Sequence, residues 1–329
     1  MAAVHAAAAA DAGFRVVAVA SATGTSARHL AGELDARRVR VDDLPAGAEV
    51  LVVATPPTAH VDAALAGLAA GATVLVESPI AATPADSDRM RVAAGRTDGR
   101  VRASANLRAA PAWRVALDRI ARLGPLGHLS ASVTQPTPDW GHFRSPLRSG
   151  GVLYTSGAQL LPLLLDAADV ASDGPAHVES VTATLASSRD DGADDTADVT
   201  LRLRRRGADD TLNATLHADW GTDASTWIQA AGDGGAVRIE FAPAIGVEHN
   251  GEPVPVDGDT ASPLHQLGYV AQLAGLGTDT DMSLDLERAQ HVLDVITAAY
   301  RSAGRHGEWT DPNESVDRDR APMQWWRPT

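Results

Sequence analysis

The chemistry open to this 329-residue chain is set first by what it lacks: it has eleven histidines but neither cysteine nor lysine. Without Cys there is no thiolate nucleophile, thiolate metal site or disulfide. Without Lys there is no Schiff base and no ammonium acid or base. The dominance of Ala, Arg, Asp and Gly, as in a GC-rich genome, is the plain reason for both absences. The histidines never stand as H-x-x-x-H, and no His/Asp/Glu cluster has ligand spacing, so no metal site is expected. No G-x-S-x-G elbow or Walker loop occurs. The acid–base candidates by type are His60, which follows the turn Thr55-Pro56-Pro57, and the loop 139-DWGHFR-144 with Asp139 and His142. His142 has the best residue type for moving a proton near neutrality, although an exposed loop histidine without a role is the plainer reading. Tyr154 is read as packed, because adjacent helix positions point about 100° apart and it need not share the face of Thr155. Trp113, Trp140, Trp220 and Trp227 serve the core or a sheet face.

The elements that position these groups alternate strand and helix through the first third. Phe14 to Ala20 is a β-rich run, and Ser26 to Ala36 carries helical spacing through Ala27, Leu30, Ala31 and Leu34. Val50 to Ala54 is a continuous apolar run, as for a strand buried on both faces of a parallel sheet, and it stops at the Pro-Pro turn. Val61 to Ala70 is a helix closed by Gly71, Thr73 to Val76 a strand, and Thr83-Pro84 the start of a helix to about Ala94. Arg100 to Ala105 is the next strand. This alternation predicts a doubly wound α/β domain. Pro111 to Leu123 is a helix, His128 to Gln135 a strand, and Gly150-Gly151 leads into a helix to about Ala168. The pattern then turns antiparallel: 178–187, 197–205, 211–219, 225–231 and 236–241 read as strands, several with period-2 alternation. Gly207 to Asp210 and Gly232 to Gly235 supply hairpin turns. A helix from about Leu284 to Gly304 closes an α+β second domain. The expected organisation is 1–107 Rossmann-like, 108–309 an α+β domain on an open, mostly antiparallel mixed sheet, and 310–329 a polar tail ending near Trp325-Trp326. Those two aromatics suit docking on a partner, fraying or docking on the chain itself.

Composition narrows the partners. With 28 basic residues, all Arg, against 42 acidic ones, the net charge is −14. Nucleic acid is excluded as a partner on that balance, because phosphate binding needs a basic surface. The run Arg204-Arg205-Arg206 reads as a solvated strand edge. Apolar stretches such as Leu160 to Leu165 fall far short of the roughly 20 residues that span a bilayer. The Ala-rich start has no basic n-region, so no signal peptide is read and the cytoplasm is the default location.

Several segments, in order, resemble the Gfo/Idh/MocA family of NAD(P)-dependent oxidoreductases. They are 52-VVATPPTAH-60, 71-GATVLVESPI-80, Asn106-Leu107-Arg108, 150-GGVLYTSGAQLLPLLL-165 and the closing stretch Ala298 to Trp309. The resemblance implies a Rossmann domain, then an α/β domain with an open mixed sheet, and an active site between them. It implies NAD or NADP, with cofactor positions at Ala2, Ser21, Thr55, Pro56, His60, Glu77, Ser78 and Asn106. It also implies a small-molecule ligand such as a sugar or polyol, and a homo-oligomer formed through the open sheet. The loop 139–144 resembles a family segment near the substrate.

Two departures qualify what the resemblance implies. The family opens with a strand ending in G-x-G-x-x-G/A, whose amides hold the pyrophosphate. Here Ala2 matches its last small residue and no strand or paired glycines precede it, so the sheet is expected to lack its central strand. A start assigned a dozen or so residues late, or a real truncation that removes dinucleotide binding, would each account for this; the late start is favoured. The second departure is chemical. The family's Lys, Asp and His positions are Ser78, Thr155 and Gln159, and none of these side chains titrates near neutrality. Losing a proton-transfer group lowers a rate by about 10²–10⁴-fold. The sequence therefore favours a catalytically impaired member, a ligand-binding subunit or partner of an active homologue, over an active NAD(P)-dependent dehydrogenase or reductase with His142 as the replacement acid–base. Elimination or isomerisation in the same cleft has no positive support. After the strand ending at Ala20 no acidic residue stands ready for the ribose hydroxyls, and Arg28 could reach a 2′-phosphate, although a helix-surface role is plainer; the choice between NAD and NADP stays open.

Overall fold

The structure, a computed structural model, describes residues 1–21, 24–43, 47–96, 101–138, 143, 145, 150–172, 174–188, 192–205, 211–256 and 264–327. The first part runs α1 (Ala2–Asp11), β1 (Ala18–Ala20), α2 (Thr25–Glu33), β2 (Arg37–Val39), β3 (Val50–Val53), α3 (His60–Ala69), β4 (Thr73–Val76), α4 (Pro84–Arg96) and β5 (Val101–Ala103). The strands β3, β4 and β5 form one parallel sheet in that order, and β1 pairs in parallel with β2 in another. The central β4 is the most buried, with Val74, Leu75 and Val76 fully inaccessible, as expected of a strand covered on both faces. Thr83 caps α4 through its hydroxyl, which accepts from Asp86 N at 3.1 Å, and Pro84 takes the first helical position. No strand among the described residues joins β1 to β3.

The chain continues through α5 (Asn106–Ala109), α6 (Pro111–Ile120), β6 (Leu126–Thr134), a π-helical turn (Leu153–Gly157) and α7 (Ala158–Ala171). Then come β7 (His177–Ala186), β8 (Thr196–Arg204), β9 (Thr211–Asp219), β10 (Ser225–Gly232), β11 (Gly235–Ala242), β12 (Gly246–His249), β13 (Glu252–Val254), α8 (Leu264–Gly275) and α9 (Leu286–Gly304). The described strands of this half make one eight-stranded sheet in the order β13-β12-β11-β10-β6-β9-β8-β7. Every neighbouring pair is antiparallel except β6 and β9. On β8, Ala197, Val199, Leu201 and Leu203 are buried while the residues between them are not, which is the period-2 signature of a sheet with one covered face. Leu160, Leu161, Leu163, Leu164 and Leu165 of α7 are all buried, so this helix is enclosed on every side.

The structure departs from the sequence pattern in three instructive places. Strand β1 is shorter than the run 14–20, because Phe14 and Val16 pack instead beside α1 with Ala8, Leu75 and Tyr269. Strand β2 follows no apolar pattern; its Arg37 and Arg38 are exposed. Helix α8 lies outside the elements expected from the sequence, and it reaches back onto the first part, where Tyr269 packs edge-on against His5 at 4.5 Å. Its close approach requires glycine at 268, since a Cβ there would lie 2.0 Å from Asn106 O. The segment after α9 docks on the chain itself. Thr310 bridges Val181, Arg301 pairs with Glu314, and Arg318 pairs with Asp88 and Asp294. Trp325 lies beneath the Arg320 and Arg301 guanidinium groups, so both aromatics of the Trp pair are half-buried on the protein's own surface. No described helix is long and apolar enough to cross a membrane.

Candidate functional site

In an open parallel sheet, ligands bind beyond the carboxyl ends of the strands. Register places Val53, Val76 and Ala103 side by side at that end. The ladder runs on one step further, Glu77 N donating to Val53 O at 2.9 Å and Ser104 N to Val76 O at 2.7 Å. The next residues of the three strands, Thr55, Ser78 and Asn106, are therefore delivered to one rim. Two of them carry polar atoms that are buried without a partner among the described residues, Thr55 Oγ1 and Asn106 Nδ2. Such atoms are rare in folded proteins and suit a polar ligand that completes them.

Beneath this rim sits a buried carboxylate. Glu77 Oε1 is 2.5 Å from His5 Nε2, and since a carboxylate only accepts, the imidazole donates. Glu77 Oε2 accepts the N–H of Ser78 at 3.1 Å. Tyr269 also donates to Glu77, and Ser104 Oγ approaches it at 3.5 Å. Burial pushes this carboxyl up, but the hydrogen bond and field of His5, helped by Tyr269 and the Ser78 amide, bring it below the usual carboxylate range. Glu77 is thus an ionised anchor that fixes the Ser78 peptide between α1 and α8. Gln272 extends the anchor, accepting from Ala105 N at 2.9 Å and donating to Ser104 Oγ at 3.1 Å.

His60 ties two turns together, with Nε2 2.6 Å from Thr55 O and Nδ1 3.3 Å from Ile80 O. Burial lowers its pKa despite those carbonyls, so the ring stays neutral and its single N–H serves the shorter contact. Tyr154 donates to Ala81 O at 2.5 Å, which joins the Ser78 turn to the π-helical turn that carries Thr155. Burial raises the Tyr154 phenol far above its ordinary range.

The π-helical turn has its own buried carboxylate. Asp194 accepts from Leu153 N at 2.9 Å and from Tyr300 Oη at 2.6 Å, while its backbone carbonyl accepts from Val152 N at 2.8 Å. It caps the turn from a distant loop, and among the described residues no cation pairs with it. Burial drives its pKa up to about 6, only partly offset by Tyr300 and the Leu153 amide. Gly151, at φ +118°, permits this; a Cβ there would lie 2.1 Å from Asp194 Oδ1. Gly151 N and Gly150 N donate to Phe143 O and Ser145 O, each at 2.8 Å.

Ser78, Thr55, His60, Glu77 and Asn106 gather at the rim. Pro56 beside them is exposed, and Ser78 is half-buried. Ala2 is exposed in the first turn of α1, one turn before His5; that turn has neither an acidic residue nor a side-chain cap, so its N–H donors stay open to an anion. Ser21 closes β1, its hydroxyl accepting from Gly24 N at 3.1 Å. Thr155 and Gln159 do not share an environment: Thr155 is buried with its hydroxyl donating to Gly151 O at 2.7 Å, and Gln159 is exposed. The wider π turn between them breaks the one-face spacing of an α-helix. Asp139, Trp140 and His142 lie outside the described residues. Sequence reasoning missed His5, Tyr269 and Asp194. A lone histidine in an otherwise alanine-rich helix was a usable signal for the first; Tyr269 stood in an unread helix, and Asp194 in an acid-rich loop indistinguishable from solvated surface.

Comparison with known proteins agrees with this architecture. The oxidoreductase family, NAD-binding Rossmann fold (Gfo/Idh/MocA), matches residues 1–104. An oxidoreductase domain protein from Kribbella flavida superposes with a TM-score of 0.79 at 18% identity, covering 95% of this chain and 96% of that one. GenD2 from gentamicin A biosynthesis, solved in complex with NAD, gives 0.79 at 21% identity, with 94% and 92% covered. The aldose-aldose oxidoreductase from Caulobacter crescentus, solved with glycerol, gives 0.73 at 20%, with 91% and 92% covered. These likenesses show the fold along the chain: a Rossmann-like domain with parallel sheets, then a large mixed sheet. No protein of curated function is similar in sequence. The orphaned Thr55 and Asn106 atoms are compatible with the dinucleotide named in the family model that matches residues 1–104.

Proposed function

We propose that this Gfo/Idh/MocA protein binds a nicotinamide dinucleotide along the rim and holds a small hydroxylated ligand, a sugar or polyol, beside it, with proton-coupled hydride transfer severely impaired. A bound dinucleotide would supply hydride exchange. The chain's own task would be to take or give the hydroxyl proton, and the arrangement around Ser78 does not favour it. One observation carries this reading: the ionisable side chains described around Ser78 are already committed. His5 and Tyr269 bond Glu77, His60 bonds Thr55 O, and Tyr154 bonds Ala81 O. Ser78 and Gln159 can still orient a ligand by hydrogen bonds, and Thr55 and Asn106 offer an acceptor and a donor. Assembly of copies through the open sheet face, or with an active homologue, and a cytoplasmic setting complete the proposal.

The test is titration of the full chain with NAD(H) and NADP(H), followed by turnover assays on polyols and sugars. Binding with a rate about 10²–10⁴-fold below that of a Ser78→Lys variant supports the reading. Brisk turnover by the wild-type chain overturns it and establishes the active oxidoreductase instead, with His142 the first group to replace. Thr155→Asp is a poorer restoration than Ser78→Lys, because it would set a carboxylate against Gly151 O, where the hydroxyl now donates.

A further inference from the structure

We infer that the segment after α9, residues 305–327, is a strap that locks the parallel-sheet part of the chain against the mixed-sheet part, with Arg318 as its latch. The inference goes beyond the proposed function and holds whatever ligand the rim takes. The strap starts on the large sheet, where β7 is an outer strand among those described: Thr310 and Val181 exchange both backbone hydrogen bonds at 2.8 Å. It next crosses the C-terminal end of α9, where Glu314 pairs with the buried Arg301. It then reaches α4 in the other part. Arg318 O accepts from Ala85 N at 2.9 Å, so the strap's backbone satisfies one of the open N–H groups in the first turn of α4. Finally it turns back onto α9: Pro322 and Met323 are buried, and a Cβ on Gly304 would lie 2.2 Å from Trp325 O. Helix α4 begins at Pro84, directly after the Ser78 turn, whose Ala81 O accepts from Tyr154 of the π-helical turn. A grip on α4 therefore holds the Ser78 turn against the turn that carries Thr155.

The contact between α4 and α9 needs a cation. Each helix sets a carboxylate toward the other, Asp88 from α4 and Asp294 from α9, and both are partly buried. Burial pushes the Asp294 carboxyl up and the charge of Asp88 adds to that, while Arg318 opposes both. Left alone, two like charges at this contact repel and favour parting. Arg318 Nε donates to Asp88 at 2.6 Å and its Nη1 to Asp294 at 3.0 Å, so one guanidinium bridges them. A planar group with several N–H donors suits two carboxylates at once. Gln290 of α9 also donates to Asp88, but it is neutral. Arginines of the two helices serve other carboxylates: Arg89 pairs with Asp62 and Asp86, and Arg288 with Asp169. The bridging charge is thus brought by the strap. Because the latch is an ion bridge at a contact between helices, its loss should part them before it unfolds either one.

The experiment exploits the absence of cysteine. Gly95→Cys near the end of α4 and Gly127→Cys near the start of β6 are exposed sites where an added Cβ meets nothing within 4 Å, and they take spin labels with no other thiol to react. Pulsed electron–electron double resonance on the full-length chain should give one narrow separation between the labels. Arg318→Ala should broaden it while the far-UV circular dichroism stays that of the parent. Amide exchange tells this release from general loosening: Ala85 should exchange about tenfold faster, the size of one charge-assisted hydrogen bond, with the amides of β4 unchanged. Combining Arg318→Ala with Asp294→Asn removes the repulsion and should return the narrow separation. A separation that stays narrow in Arg318→Ala, or Ala85 accelerating only in step with β4, overturns the inference. Persistent breadth in the double variant overturns it too, because bridging the two carboxylates would then not be what closes the contact. If Arg318→Ala does not fold, Arg318→Gln, which is neutral but keeps donors, takes its place with the same outcomes.

Discussion

Two buried carboxylates stand behind the two turns of the site, and they titrate in opposite directions. Glu77 backs Ser78 and is held below the usual range by His5 once burial has been overcome, whereas Asp194 backs Thr155 among neutral donors and rises to about 6. Glu77 has a cation-capable partner and keeps slight exposure, whereas Asp194 is fully buried. The contrast teaches that burial alone does not fix how a carboxylate titrates; the partner it faces does. The two anchors also give opposite pH signatures. The stability from Glu77 is present above the unfolded carboxylate range and lost as pH falls through its depressed value. That from Asp194 is complete below 3.8 and lost as pH rises through about 6.

The largest effect expected is from Glu77→Ala. Removing one partner of a buried pair leaves the other uncompensated, at about 3–5 kcal/mol. Urea unfolding at pH 7 measures it; a loss below 1 kcal/mol would mean that His5 and Glu77 are independent. Next is Asp194→Asn. An amide can accept from Leu153 N and donate to Tyr300 while never ionising. The shift from 3.8 to about 6 corresponds to about 3 kcal/mol, so the variant should gain about that much relative to wild type between pH 4 and pH 7. A pH-independent difference would erase the contrast between the anchors. Tyr300→Phe comes third. It removes a 2.6 Å donor from Asp194, and hydrogen bonds to charged groups are worth about 1.5–3 kcal/mol, so the loss should be larger at pH 7 than at pH 4.

How much of this could be seen in the sequence depended on the kind of pattern each region carries. The strands β3 and β4, α4 with its Thr83 cap, and the alternating β8 and β9 were legible because burial on one face or two imposes a period on local residues. The strand β2, with two exposed arginines, has no such period, and α8 is defined by what it packs on. At the site, Thr55, Ser78 and Asn106 were named through the family resemblance, and the structure sets each just past a strand end. The anchors' partners were not legible: His5 reaches Glu77 across 72 positions, and Tyr300 reaches Asp194 across 106. No spacing rule spans such distances; only the fold closes those loops.

The smallest effect is the sharpest check on which contacts hold Glu77. Ser104 Oγ lies 3.5 Å from Glu77 Oε1, at the outer limit for a hydrogen bond, yet accepts from Gln272 Nε2 at 3.1 Å. If His5 and Tyr269 dominate the anchor, Ser104→Ala removes only a marginal donor and should cost about 0.5 kcal/mol, the low end for a neutral hydrogen bond. The cost would come mainly from Gln272, whose amide loses an acceptor while keeping its bond to Ala105 N. Gln272→Ala would then mask the Ser104 effect in a double-mutant cycle, and Glu77→Gln would not. The reverse coupling would make Ser104 a direct support of the carboxylate. The depressed titration of Glu77 would then owe less to His5, and the two anchors would differ by degree instead of by partner.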